Sequence, residues 1–448
     1  MKLTEVKVDK LFGIFNHQIK FKTEENITIV IGENGLGKTV ILEALDAFFN
    51  GQYSFFYNID FDSFSFCFDN DYVWLLTKKS NKNNSLDIAL YKRGEPLTST
   101  PKKYTLPSDD NDAEKYNLRM ASRKRALLEL EFDHRYSREL LERSPELYNE
   151  LMLELHDPKY FFTTRKRKKN DNMPKWFEDN INNINVKLIE TQRLITLDRN
   201  NKKSHKLQSS VSIYSEDLKS KIEAARKESS EVTLQLDSSY PNRLIEKIRK
   251  GSSESFEDLN DALQNLDRRR KFISSTGIVV NSNDSELTQI KEEQKDLVNT
   301  LKLYIDDSHK KLDPYDSLAE KIDLFRKIIN KRFKHKELVV NEKDGMVFES
   351  SIISDKSGKA QIIPQSKLSS GEQNELILFY KLIFNTEDGD LILIDEPELS
   401  LHISWQNKFI NDLKEVTSLT DVSIVIATHS PDIIDENWHL KVQLKGVE

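Results

Sequence analysis

Two short segments near opposite ends of the sequence carry side chains suited to one kind of chemistry. The first is Gly32-Glu33-Asn34-Gly35-Leu36-Gly37-Lys38-Thr39, a G-x-x-x-x-G-K-[ST] pattern. Its glycines allow the backbone N–H groups around Gly32, Asn34, Gly35 and Gly37 to wrap an anionic phosphate, and a helix starting there adds positive potential. Lys38 is then placed to reach the β- and γ-phosphates of a nucleotide, and Thr39 to ligate Mg²⁺. The second is Leu391-Ile392-Leu393-Ile394-Asp395-Glu396, an apolar run that ends in two acids. Asp395 suits a water-mediated hold on Mg²⁺. Glu396 suits a general base that polarises an attacking water.

Such residues need rigid elements to aim them. Ile27-Thr28-Ile29-Val30-Ile31, Leu391–Ile394 and Ile424-Val425-Ile426-Ala427 are nearly continuous β-branched and aliphatic runs. They predict buried strands of a largely parallel sheet. Val40–Phe49 predicts the helix after the glycine-rich turn. Charged and apolar residues alternate at Leu3, Val6, Val8 and Leu11, and this predicts opening strands, with another at Gln18–Phe21. Residues 51–135 predict short strands and turns, 136–160 a helix, 163–173 an exposed basic loop, and Val186–Thr191 a strand returning to the sheet. From 215 to 335 Glu, Lys, Leu and Gln dominate. Helices are expected at 285–310 and 315–332, with breaks at Tyr240-Pro241 and Gly251-Ser252. Strands return at Glu337–Val340 and Met346–Phe348, joined by a turn at Asn341–Gly345. The expected fold class is α/β: a P-loop ATPase head with a mixed, largely parallel sheet, split by a helical arm or short coiled-coil insertion. The expected division is 1–214, 215–335 and 336–448.

Composition narrows the field. The 448 residues are 37% hydrophobic and 31% charged, with net charge −7. That balance favours long solvated helices and disfavours a globally basic nucleic-acid binder. The single cysteine, Cys67, excludes an intrachain disulfide and a four-cysteine zinc site. No signal-peptide pattern opens the sequence, and no apolar run approaches the roughly 20 residues that span a bilayer. A cytoplasmic location without membrane partners is expected.

Two further segments complete a pattern. Leu368-Ser369-Ser370-Gly371-Glu372-Gln373 resembles the signature motif of ABC ATPases, and Ile424–Ser430 contains His429, which resembles their switch histidine. A helix cap also accounts for the serines, since Ser-x-x-Gln is a capping pattern. In the order phosphate loop, signature, acidic strand and histidine, the four segments resemble an ABC-type ATPase. The resemblance implies ATP and Mg²⁺ as ligands. It implies a homodimer, or a larger even-numbered assembly, in which Ser369, Ser370 and Gly371 of one chain face the γ-phosphate held by the other. It implies γ-phosphate sensing by His429.

Lys38 and Ser370 lie 332 positions apart, a separation similar to that of the SMC, RecF and RecN branch, where a helical arm splits the head. Glu396-Pro397-Glu398-Leu399-Ser400-Leu401-His402 resembles the DEPExxLH form of RecF-like and overcoming-lysogenization-defect-like ATPases, with His402 where transporters carry Asp. By the same resemblance Gln192, in Glu190-Thr191-Gln192-Arg193-Leu194, is the candidate Q-loop glutamine and a third Mg²⁺ ligand beside Thr39 and Asp395. Phe12 and Phe15 are candidates for stacking on adenine, although core packing accounts for both.

The opening Leu11–His17 and the modest arm resemble compact ATPases of phage-defence operons, those of the PARIS system first and of Septu second. Nineteen residues follow His429, too few for the Toprim nuclease of the overcoming-lysogenization-defect proteins. His134 and His156 are scattered and suggest no metal cluster. ATP hydrolysis is therefore the one chemistry expected, with a separately encoded effector, a nuclease, as partner and DNA or a phage protein as trigger. The alternative is a DNA-repair or chromosome-associated ATPase that clamps DNA through Arg123–Arg125, Arg165–Lys169 or Arg268–Lys271. A transporter subunit is disfavoured by the split head.

Overall fold

The β-branched runs fold as the sequence leads one to expect. The structure, a computed structural model, describes residues 1–79, 85–93, 102–106, 173–190, 195–197, 207–250, 256–279, 298–354, 358–399 and 401–446. They fall into two compact units, Met1–Gln208 with Asn385–Glu448, and Ser209–Phe384.

In the first unit, β1 (Leu3–Leu11), β2 (Phe15–Lys20) and β3 (Ile27–Ile31) lead to helix α1 (Lys38–Phe49). Then come β4 (Ser63–Phe68), β5 (Tyr72–Lys79), β6 (Ser85–Lys92), β7 (Lys102–Leu106), α2 (Lys175–Ile181) and β8 (Val186–Glu190). Short strands β9 (Ile195–Leu197) and β10 (Leu207–Ser209) pair with each other. Six strands form an antiparallel sheet in the order β2-β1-β4-β5-β6-β7. Its inner face and α1 share an aromatic core. Phe48 stacks on Phe66 at 4.3 Å and meets Phe56, Trp74 and Phe177 edge-on or tilted, an arrangement that fixes the helix rotationally.

The second unit holds α3 (Ser210–Lys250), α4 (Phe256–Ser275), α5 (Val298–Asn330), the antiparallel sheet β11 (Lys336–Asn341), β12 (Gly345–Ser354) and β13 (Ala360–Ile363), and α6 (Ser370–Phe384). Leu259, Leu263 and Leu266 of α4 pack with Val298 and Ile305 of α5. One expected break is absent and one expected pair of helices is continuous, while Gly251-Ser252 lies outside the described residues. Pro241 lies within α3 and Pro314 within α5, so Tyr240-Pro241 is not a turn and the two helices expected at 285–310 and 315–332 are one from Val298 onward. A proline deletes one N–H and crowds the preceding turn, but side-chain bonds within α3 and ion pairs to α5 hold the helix through it. Ser239 Oγ donates to Gln235 O at 3.0 Å, Arg243 donates to Leu236 O at 2.7 Å, and Arg243 and Lys247 form ion pairs with Asp307 and Asp306 of α5.

The chain then returns to the first unit through β14 (Leu391–Asp395), α7 (Ile403–Gln406), α8 (Phe409–Leu419), β15 (Ser423–Thr428), α9 (Pro431–Ile434) and β16 (Lys441–Gln443). The second sheet of this unit has the order β16-β3-β15-β14-β8, with every pair parallel. Thr428 lies opposite Ile31, and Asp395 opposite Ala427 and Glu190. The carboxyl ends of three strands therefore open side by side, the usual place for a ligand in a parallel α/β sheet. The fold is an α/β P-loop ATPase head split by a helical insertion.

Candidate functional site

The glycine-rich loop follows β3 directly. Gly35 and Gly37 have φ of 87° and 83°, where a side chain is strained. At Gly37 a Cβ would also lie 2.6 Å from Leu11 Cδ2. The loop curls over the Lys38 side chain, and Lys38 is only 5% exposed. Its Nζ donates to Gly32 O at 2.9 Å and Glu33 O at 3.1 Å, and lies 3.4 Å from His429 Nδ1. Burial lowers the Lys38 pKa, against the opposing pull of Glu396, Asp395 and Glu398. A buried ammonium inside a glycine-rich loop at a helix N-terminus is a place for a polyanion.

The acids lie at the end of β14. Burial pushes the Asp395 carboxyl up to about 6; Glu396 and Glu398 add to this, and a hydrogen bond from Thr39 and the charge of Lys38 oppose it. Glu396 has φ of 45°, a left-handed backbone uncommon outside glycine, asparagine and aspartate. Its amide donates to Ala427 O at 2.9 Å, which holds the unusual turn. Glu396 Oε1 lies 3.7 Å from His429 Nε2. One point thus collects Lys38, Thr39, Asp395, Glu396 and His429 from three segments.

The donor chemistry fits Mg²⁺. A threonine hydroxyl and a carboxylate in hydrogen-bonding contact are hard oxygen ligands. Among the described residues no group of three or more His, Cys, Asp or Glu side chains is placed to hold a metal by itself. Mg²⁺ takes few protein ligands and fills its octahedral shell with phosphate and water oxygens.

Two further residues at this site have no part assigned from the sequence alone. Glu398 accepts the Thr428 hydroxyl at 2.8 Å and the His429 amide at 2.9 Å. The buried His17 places Nε2 2.8 Å from Leu36 O in the phosphate loop and stacks on Phe15. Burial holds its pKa down, so the neutral imidazole donates from Nε2 and braces the loop. Only the alternation of residue types along β2 hinted at His17, and the DEPExxLH resemblance included Glu398 without giving it a part. Phe15 is thereby accounted for by packing. Phe12 is 42% exposed and comes within 3.2 Å of a Cβ placed on Gly37.

In the second unit, Ser369 and Ser370 are exposed at the start of α6, and a Cβ on Gly371 would meet nothing within 4 Å. The capping pattern exists in a different register from the expected Ser-x-x-Gln. Ser369 N donates to Glu372 Oε2 at 2.7 Å and Glu372 N to Ser369 Oγ at 3.3 Å, the reciprocal bonds of a capping box. Gln373 instead donates to Leu368 O at 2.9 Å. Burial raises the Glu372 pKa, but the Lys336 ammonium and the Ser369 amide outweigh it and hold the carboxyl low. Ser369→Ala is expected to lower the stability of the protein by about 1 kcal/mol, measured as a shift in the urea midpoint.

Gln192, Arg123–Arg125, Arg165–Lys169, His134 and His156 lie outside the described residues. Of the basic segments, Arg268–Lys271 is described, and two of its four charges pair with carboxylates of the same unit. Arg269 pairs with Asp313 and Asp316, Lys271 with Asp267, and Arg270 donates to Ser308. No helix among the described residues is long and apolar enough to cross a membrane.

No curated protein matches the chain. Among solved structures it is similar to the SMC head domain from Thermotoga maritima, with 11% identity, covering 100% of this chain and 96% of that one at a TM-score of 0.32. It is also similar to an Smc head bound to the C-terminal winged-helix domain of ScpA, with 10% identity, 97% and 91% coverage and a TM-score of 0.33. A third is the Smc head of Pyrococcus furiosus with an extended coiled coil, bound to the C-terminal domain of ScpA, at 11% identity, 97% and 91% coverage and a TM-score of 0.30. These likenesses are distant, and the family rests on a broader match: residues 1–434 fit the AAA ATPase domain family AAA_15, to which this chain belongs.

Proposed function

We propose that the protein is an ATP-hydrolysing, SMC/RecF-like ATPase that works as a nucleotide-gated clamp between two copies of the chain. The observation that carries this reading is the convergence of the Lys38 ammonium, the Thr39–Asp395 pair and the Glu396–His429 pair at the open ends of β3, β14 and β15. Lys38 would leave its carbonyl partners for the phosphates. Thr39 and Asp395, with Gln192 as a further candidate, would hold Mg²⁺. When bound, Mg²⁺ neutralises charge on the phosphate oxygens. Glu396 takes a proton from the attacking water, and His429, beside the Lys38 ammonium, contacts the γ-phosphate. Ser369, Ser370 and Gly371, at the N-terminus of α6, are the groups that a second copy would offer to the same phosphate. ATP would close the dimer and hydrolysis would reopen it. The insertion, expected at 215–335, would carry that change outward.

The biological role we infer is a sensor or scaffold subunit of an anti-phage system that holds and releases a separately encoded effector, a nuclease. It is supported by the sequence resemblance to phage-defence ATPases. The test is purification of tagged Glu396→Gln and Lys38→Ala forms from the native host at moderate salt. A stoichiometric protein partner retained by one form and lost from the other is the expected result. DNA retained only by Glu396→Gln, with no protein partner, would replace this role with a DNA-clamping repair function.

A further inference from the structure

We infer that Glu398 is a positioning residue: its carboxylate joins the loop after the acidic strand to the loop after β15 and so holds the backbone of His429 at the nucleotide site. The inference builds on the ATPase reading above and concerns a residue to which that mechanism gives no part.

The geometry is a closed set of bonds. Both carboxylate oxygens are used, one by the Thr428 hydroxyl at 2.8 Å and the other by the His429 amide at 2.9 Å. Thr428 is fully buried. Having donated its proton to Glu398, its Oγ1 accepts the Ser430 amide at 3.0 Å. The Ser430 hydroxyl donates to Gln406 Oε1 at 2.9 Å, and Gln406 Nε2 donates back to Leu401 O at 3.3 Å and Glu398 O at 3.4 Å.

Three consecutive residues, Thr428, His429 and Ser430, are each held by at least one of these bonds. The segment that holds them also carries Glu396, so the same bonds tie the loop of the base to the loop of the histidine. A carboxylate suits this task because each of its oxygens accepts, and two donors are met at once. A glutamine keeps one acceptor and must turn the other contact around.

The test uses the full-length chain and two variants, Glu398→Ala and the isosteric Glu398→Gln, each alone and combined with His429→Ala. In the nucleotide-free protein, amide exchange in a peptide spanning 424–434 is expected to rise about tenfold, with α1 and β3 unchanged. ATP hydrolysis is expected to fall about tenfold in the wild-type background and less than about twofold when His429 is already alanine, with ATP affinity held within about twofold. Unchanged exchange, or an equal loss in both backgrounds, would overturn the positioning role. The exchange arm needs no hydrolysis. A wild-type protein that does not turn over ATP therefore refutes the ATPase reading alone, while exchange still decides the role of Glu398. If Glu398→Ala fails to fold, Glu398→Gln carries both arms.

Discussion

Glu396→Gln is expected to bind ATP with near wild-type affinity and to hydrolyse it at least about 10²-fold more slowly. The substitution keeps the size of the side chain and removes the only property a base requires. Lys38, Thr39 and Asp395 are untouched, so the binding half of the site persists. Glu396 Oε1 lies 3.7 Å from His429 Nε2, and an amide at 396 still satisfies that neighbour. Lys38→Ala is the contrasting change. It empties a buried position beside the carbonyls of Gly32 and Glu33, and loss of nucleotide binding is expected instead. Phosphate release together with binding of a fluorescent ATP analogue separates the two. Equal loss of binding in both variants would remove Glu396 from the chemical step.

The second large effect concerns stability. Burial, with Glu396 and Glu398 nearby, raises the Asp395 carboxyl from 3.8 to about 6. The folded, nucleotide-free protein then binds a proton there that the unfolded chain has lost. Stability therefore falls as pH rises from about 4 to about 6, and stays lower above that. Asp395→Asn abolishes the titration. The variant is expected to be more stable than wild type by on the order of 1–3 kcal/mol at pH 8 and to show no advantage near pH 4, read as urea midpoints across pH. The same variant is expected to lose Mg²⁺-dependent ATP binding. A gain that does not vary with pH would show that Asp395 does not titrate in this window.

Much of the head was legible because its chemistry lies in contiguous segments. Ile27–Ile31, Leu391–Asp395 and Ser423–Thr428 became parallel strands with the glycine loop, the acids and the histidine at their carboxyl ends. What escaped depends on bonds between segments. Glu398 acquires its part only when β14 and β15 pair, and His17 only when β2 comes up against the phosphate loop. The capping box at Ser369 and Glu372 was one register from the expected one, because two adjacent serines offer the same local signal and Lys336 selects between the acceptors. Pro241 looked like a stop because the local rule ignores α5, whose Asp306 and Asp307 clamp the helix just beyond it.

The order of strands in the parallel sheet also constrains how the protein is made. β3 pairs with β15 and β16, β8 pairs with β14, and β3 and β8 do not touch each other. A nascent chain that has emerged as far as the long helices therefore holds two apolar strands with no partner in the sheet. Its phosphate loop has no fixed platform until residues near 428 leave the ribosome. Long-range pairing of this kind is slow to form and exposes apolar edges while it waits. Nucleotide binding should thus be among the last properties the newborn chain acquires, and fragments stalled before β14 should depend on chaperones and bind no ATP.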